Sequence, residues 1–467
     1  MSRRTTITLA ALSSGVALLA ILAGTRAQGA PFADLPPFGP ERGAALQIEH
    51  PFQSSEAMEA QPHEGRDGFD RERLWSGYDD WEPATAADPS SPYVYELTTR
   101  LSGPRCERCA KVSMIFRRSH DHGATWEPDQ FLIASRINQW DPQIKVARNG
   151  TVYVAFLLLF RPGVTFMRST DRGTTWSRPI SFSGRGHTPA WSDRPALAVS
   201  PSGRDVYIGF NHSDSWIVAS HDGGKTFAPP IQTSHDHRYY FHSAGTVAPD
   251  GSVSFVAEDY SQNYHGPVHI DVIHSRDGGR SWSTVRIDTG QATPRCGGVP
   301  GCYYGFLGPV GGLAADAAGN LLVAYNINHD PFRPQRLFAR TSRDGLHWSA
   351  AAEISGTNPG VDNAFPAVAA GVVPGDFRVV WMNTRLGMWD TWERRLVDGS
   401  WGRAIRLSNR RHGAPYKHPH GFGFPYGDYL GVTVDADGKT FAIFGAGPNY
   451  NGPGGTWYTR EAPDGAS

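Results

Sequence analysis

Six times along this chain a strand-like run breaks at an aspartate followed closely by a glycine. The copies read SHDHGATW (119–126), STDRGTTW (169–176), SHDGGKTF (220–227), SRDGGRSW (275–282), the shortened SRDGLHW (342–348) and a remnant, VDGSW, ending at Trp401. Their aspartates, Asp121, Asp171, Asp222, Asp277, Asp344 and Asp398, fall 50 to 67 residues apart. Self-similarity at such a period marks an architecture in which one supersecondary unit is copied and stacked. Within a copy, the serine hydroxyl and the aspartate carboxylate can bond amides of the same turn, glycine supplies φ > 0, and the terminal aromatic packs between neighbouring sheets. The octet is therefore expected to be a hairpin staple. His120 and His122, which make the first copy look like a metal site or proton relay, stand where Thr170 and Arg172 stand in the next copy. They are expected to lie away from any site.

Each octet follows one alternating run (VSMIFRR, VTFMRS, WIVAS, HIDVIHS, LFARTS) and precedes another, so it joins the third and fourth strands of a unit. A first strand opens near a proline, as in DPQIKVA, RPALAVS, GPVGGLAA and FPAVAAG; a second follows, as in TVYVAFLL, DVYIGFN, NLLVAYN and FRVVWMN. After the remnant, GDYLGVTVDADGKTFAIFGAG and TWYTRE supply three strands without an octet. With 53 Gly, 35 Pro and 12% aromatics, the composition suits short strands and tight turns better than helices. The expected fold is all-β, a β-propeller of four-stranded blades, seven in number with six as the alternative. The missing fourth strand would come from the amino-terminal side, for instance AALQIEH (44–50), closing the ring and leaving no open edge.

Arg3 and Arg4 precede an apolar run over residues 7–24, and TRAQGAP then supplies small residues, so 1–29 reads as a secretory signal peptide. The run is nearly long enough to stay in a membrane as an anchor, the competing reading. Residues 30–75 read as a linker and closing strand, and 76–467 as one propeller domain. The expected location is outside the cell or in the envelope of a bacterium. There Cys106 with Cys109, and Cys296 with Cys302, would form two local disulfides, since the second spacing is too wide for a zinc knuckle. A net charge of −1 offers nothing to a nucleic-acid backbone. A monomer with no cofactor and no metal is expected.

The octets resemble the aspartate box, S-x-D-x-G-x-T-W, of the sialidase superfamily and related bacterial neuraminidase repeats, and the resemblance runs across most of the chain beyond residue 76. It implies a glycan substrate and, at its most specific, exo-hydrolysis of a terminal sialic acid. Sialidases hold the sugar carboxylate with three arginines, use a Tyr helped by a Glu as nucleophile, and an Asp as acid and base. Two departures stand beside the resemblance. Known sialidases have six blades, and their RIP tripeptide, which carries the first arginine, does not occur here. No arginine is therefore carried over by motif.

Propeller geometry puts the octets on one face; connections from second to third strands, and from blade to blade, gather on the other. Loops assigned to that second face hold ten of the eighteen histidines and both cysteine pairs. The catalytic candidates are Asp141, Asp193 and Asp428, at the starts of first strands, with Glu258, Tyr304 and His242. Acid–base work by such carboxyls needs one held protonated by burial and another left ionised. Adjacent residues on a strand end point to opposite faces, so Glu258, Asp259 and Tyr260 cannot all act together. Arg194, Arg238 and Arg385, whose planar forks match a carboxylate, are the substrate-binding candidates, together with His237 and Tyr429. The carbohydrate-directed function expected is a secreted, sialidase-like glycoside hydrolase cleaving an anionic sugar. One alternative is a polysaccharide lyase on a uronate glycan with His242 as base; another is a non-catalytic carbohydrate-binding propeller. The second HDH, residues 235–237, has the i, i+2 spacing for a metal, but loop histidines are usually solvated.

Overall fold

The computed structural model describes residues 67–462 except 160–163, 183–192, 213, 262–265, 292–307, 331–332, 387–388, 409–428 and 447–454. The readings for 1–29 and 44–50, for Cys296 with Cys302, and for Tyr304 and Asp428 fall outside the described residues.

Seven antiparallel sheets form a closed ring. Blades one to six span 80–131, 139–181, 196–232, 239–291, 310–353 and 363–406; the strands pair in chain order from the first outward, except that in blade six both Ser400–Trp401 and Ile405–Arg406 pair with the third strand. The first strand of every blade packs against the first strand of the next, and that of blade seven, Gly431–Val434, packs against that of blade one, Asp80–Ala87. Blade seven draws three strands from the carboxyl-terminal side, Gly431–Val434, Thr440–Ala446 and Gly455–Arg460. Its fourth, Arg73–Leu74, comes from the amino-terminal side and pairs with Tyr458 and Trp457. An isolated bridge from Phe69 to Glu461 extends this closure. The ring thus closes from the amino-terminal side, as expected, but with residues 73–74 and not 44–50 as the fourth strand. Among the described residues there is no helix, so none is long and apolar enough to cross a membrane.

Second strands show why the blades stack. Phe377–Asn383 and Leu321–Ile327 are buried at every position, because both faces are covered by neighbouring sheets. Such strands read as continuous apolar runs where half-exposed strands would alternate.

The octets are staples. Ser119 Oγ donates to Asp121 Oδ1 (2.7 Å) and accepts the Gly123 amide (2.9 Å), while Thr125 gives its amide (2.8 Å) and hydroxyl (2.6 Å) to Asp121. The same bonds recur around Asp171, Asp222 and Asp277. Glycine is required twice over: Gly173 has φ +84, and a Cβ there would sit 2.4 Å from the Phe116 ring of the preceding blade. VDGSW departs from the pattern. Asp398 and Gly399 both have positive φ, and Val397 pairs with Ser400, so it is a two-residue hairpin turn with no serine staple.

The Thr175 hydroxyl and amide, with the Ser169 hydroxyl, hold the Asp171 carboxyl down at about 2. That contribution to stability is present above the usual carboxylate range and is lost as pH falls from about 4 to about 2. Asp171→Asn is expected to lower Tm by about 2–4 °C at pH 7 and to flatten that acid limb, as thermal unfolding between pH 2 and 7 would show.

His122 lies at the octet end of the ring. Its Nδ1 is 2.8 Å from Asp435 Oδ2 and its Nε2 3.5 Å from Asp437 Oδ2. Asp435 Oδ1 also accepts the amides of Asp437 (3.0 Å) and Lys439 (2.9 Å). The three side chains could hold a metal by their spacing. As they stand, they clasp the first hairpin of blade seven to the octet of blade one. At the other end, a Cys106–Cys109 disulfide closes a short loop between the second and third strands of blade one.

Candidate functional site

Four first strands begin with the same irregularity. In Trp81-Glu82-Pro83, Trp140-Asp141-Pro142, Asp193-Arg194-Pro195 and Ala364-Phe365-Pro366, the residue before proline takes a positive φ, at 55°, 54°, 39° and 55°. Pairing with the second strand skips there in blades one, two and six. A bulge re-aims a side chain, and a left-handed residue that is not glycine carries strain of about 1–3 kcal/mol, which such structures retain chiefly at functional sites. Glu82, Asp141, Arg194 and Phe365 thus take equivalent places around one end of the central channel.

Asp141 is the centre of this group. The Asp193 carboxyl and the amide and charge of Arg194 bear on its carboxyl, which takes the Tyr429 hydroxyl on Oδ1 at 3.4 Å. Its own amide donates to Glu82 Oε2 (3.3 Å), which also receives the Thr99 hydroxyl (3.3 Å). The Arg194 guanidinium lies 4.4 Å above the Tyr429 ring. Burial raises the Asp141 carboxyl above the ordinary range, against the lowering effect of the neighbouring Asp193, the Arg194 charge and Tyr429. Asp141 is buried and Asp193 is half-buried, so the pair has an inner and an outer member.

Glu258 stands on the second strand of blade four. Burial pushes its carboxyl up to about 8, opposed by the Arg194 charge, the Ser243 hydroxyl and the Gly311 amide. It is therefore protonated at neutral pH. Asp141 Oδ2, Arg194 Nε and Glu258 Oε1 are buried with no hydrogen-bond partner among the described residues. Buried polar atoms are rarely left so, and three around one channel mouth suit an incoming polar ligand.

The structure brings Asp141, Asp193, Arg194, Tyr429 and Glu258 together. The neighbour of Glu258, Asp259, points the other way, to Arg238 and Arg286, as strand alternation requires. Arg238 is held there, also donating to the Asp259 and Pro267 carbonyls. Arg385 lies 4.5 Å above the Trp392 ring and donates to the Ser355 carbonyl (3.3 Å). His237 is exposed, 3.3 Å from Asp214. His242 is buried between blades three and four. Its Nε2 is 2.9 Å from Ser215 Oγ, and a Cβ on Gly209 would come 2.8 Å from its ring. Burial pulls it down to about 3, so it is neutral. Glu82 and Ser243 were not among the sequence candidates. The signal for Glu82 was present, since DWEP in blade one repeats QWDP in blade two.

Arg194 bears on both acids, so Arg194→Met is expected to move both limbs of any pH–rate profile upward, because the lost cation had favoured the ionised forms. Limbs that stay in place would show that these carboxyls do not control the rate.

No family model matches the chain. A curated xyloglucanase from Paenibacillus sp. is 26% identical over 307 residues, covering 60% of this chain. The chain spans 28% of that relative's length. Solved structures with similar chains include a Trypanosoma rangeli sialidase in complex with the inhibitor DANA, with TM-score 0.40, 12% identity, and 85% of this chain and 58% of that one covered. A Penicillium chrysogenum α-L-arabinanase complexed with arabinobiose has TM-score 0.37 and 15% identity, over 57% of this chain and 92% of that one. A protein of unknown function from Dyadobacter fermentans has TM-score 0.44 and 11% identity, over 85% and 96%.

Proposed function

We propose that this propeller is a glycoside hydrolase in which the Asp141–Asp193 carboxyl pair, backed by Arg194, moves the proton. The observation that carries this reading is the placing of the two carboxyls side by side at the channel mouth, the inner one raised by burial and Arg194 against it. Two carboxyls held this close disfavour double ionisation, so in this reading the pair shares one proton and titrates as a unit. Asp193, the outer member, meets the substrate, and Asp141 is its positioning partner. As the bond between the anomeric carbon and the glycosidic oxygen breaks, the electron pair stays on that oxygen, which takes the shared proton. The two negative charges then left on the pair are offset by Arg194 and the Tyr429 hydroxyl. Water adds its oxygen to the anomeric carbon and returns a proton to the pair. Proton transfer of this kind contributes about 10²–10⁴ in rate.

The name of the Paenibacillus relative supports a glycan substrate. The finer expectation of an anionic sugar rests on arginines, and among the described residues Arg194 alone of the three candidates stands with the carboxyl pair. A neutral polysaccharide is therefore the substrate class we favour. The test is a panel of xyloglucan, arabinan, a chromogenic sialoside and a uronate polymer, scored for new reducing ends and ultraviolet absorption. Reducing ends that disappear with Asp193→Asn support the reading. Absorbing, unsaturated products would make the protein a lyase, and binding without release a carbohydrate-binding module. We also infer export directed by residues 1–29; amino-terminal sequencing of protein from the culture medium should find a start just beyond them, and an intact Met1 would refute cleavage.

A further inference from the structure

Below the carboxyl pair the channel runs between the seven first strands, whose walls there are backbone and small side chains. A Cβ on Gly312 would come 2.9 Å from the Val368 amide, and one on Gly431 3.1 Å from the Thr85 amide, so these strands approach closely. Blade two is different. Alternation buries Ile144 in the blade and turns Gln143 and Lys145 into the channel, with Lys145 roughly 10–13 Å beyond Asp141 at about 3.3 Å per residue. Among the described residues, neither the Lys145 ammonium nor the Gln143 amide has a hydrogen-bond or ion-pair partner. Burial alone pulls the lysine below its ordinary range, with no opposing carboxylate. Arg194 lines the same cavity and adds a second cation. Glu258 adds little negative charge nearby, because burial raises its carboxyl to about 8.

Lys145 and Gln143 are half-buried, and a cation held along a narrow channel is costly unless something pairs with it. We propose that the central channel binds a small monovalent anion, held by the Lys145 ammonium and the Gln143 amide. A weakly hydrated ion of halide or nitrate size fits this wall best. It gives up its water cheaply, whereas a sulfate or phosphate would need more donors than the channel supplies. The site is independent of the reaction proposed for the mouth.

The test is thermal unfolding of the full-length protein as sodium bromide replaces sodium gluconate at constant ionic strength, gluconate being too large for the channel. The wild type should gain about 2–4 °C in a saturable way. Lys145→Met keeps the length of the side chain without the charge, and should show no gain. A wild-type Tm that ignores bromide, or a variant that responds equally, overturns the proposal. Should Lys145→Met fail to fold, anomalous diffraction from wild-type crystals in bromide decides: a peak beside Lys145 upholds the site, and a channel without one overturns it.

Discussion

Asp141→Asn and Asp193→Asn are each expected to lower kcat on the cleaved glycan by about 10²–10⁴, and the double variant to be little worse than either single one. An amide keeps the shape of the carboxyl. It cannot release and regain a proton, so the shared function fails as a unit. KM should move less than kcat, since proton transfer is realised in the transition state and hardly in the ground state. The inner and outer members should also differ in one respect. Asp193 is half-buried and Asp141 buried, so a change in solvent isotope effect or leaving-group dependence should be larger for Asp193→Asn. Steady-state kinetics on the active glycan checks all of this, and full activity in either single variant would remove the pair from the chemistry.

The second large effect concerns stability. Burial lifts Glu258 to about 8, so between its ordinary value of 4.5 and about 8 the folded protein holds a proton that the unfolded chain has released. Stability contributed by this group is therefore full below about pH 4.5 and falls as pH rises through that window. Glu258→Gln, neutral throughout, should abolish the slope. The variant should gain on the wild type from pH 5 to pH 9 by an amount on the order of a few kcal/mol, read from urea unfolding at pH 5, 7 and 9. His242 gives the opposite slope. Its folded value of about 3 lies below the ordinary 6.5, so its contribution is lost as pH falls from about 6.5 towards 3. Parallel curves for wild type and Glu258→Gln would show that this carboxyl is ionised in the fold.

The octets made the architecture legible, because their hydrogen bonds and glycines are local and demand particular residue types at fixed offsets. Asp141, Asp193 and Arg194 could be picked out for a related reason: each stands just before, or one residue from, the proline that opens a first strand. Glu82 stands in the same place, and its only signal in the sequence is the kinship of DWEP with QWDP. His242 was misplaced through a boundary. Residues 234–242 look like a loop, but the strand Tyr239–Val247 begins inside them, and pairing then takes the imidazole into the blade. Arg238 and Arg385 lie near the expected face, and what removes them from the carboxyl pair is Asp259 in one case and the Trp392 ring in the other. Neither contact can be read before the strands are in register, because each partner stands on a different strand or loop.

The closure by Arg73–Leu74 sets an order of events for the whole molecule. Its partners, Tyr458 and Trp457, belong to the third strand of blade seven, so the latch has nothing to grip until that strand has been made. Until then blade seven lacks its outer strand and the ring stands ajar. A protease that cuts between residues 75 and 79 of the finished protein would turn this covalent latch into a noncovalent one, though the other six blades remain whole. Resistance to such a cut, measured against temperature, would report on ring opening as a single motion distinct from the unfolding of any blade.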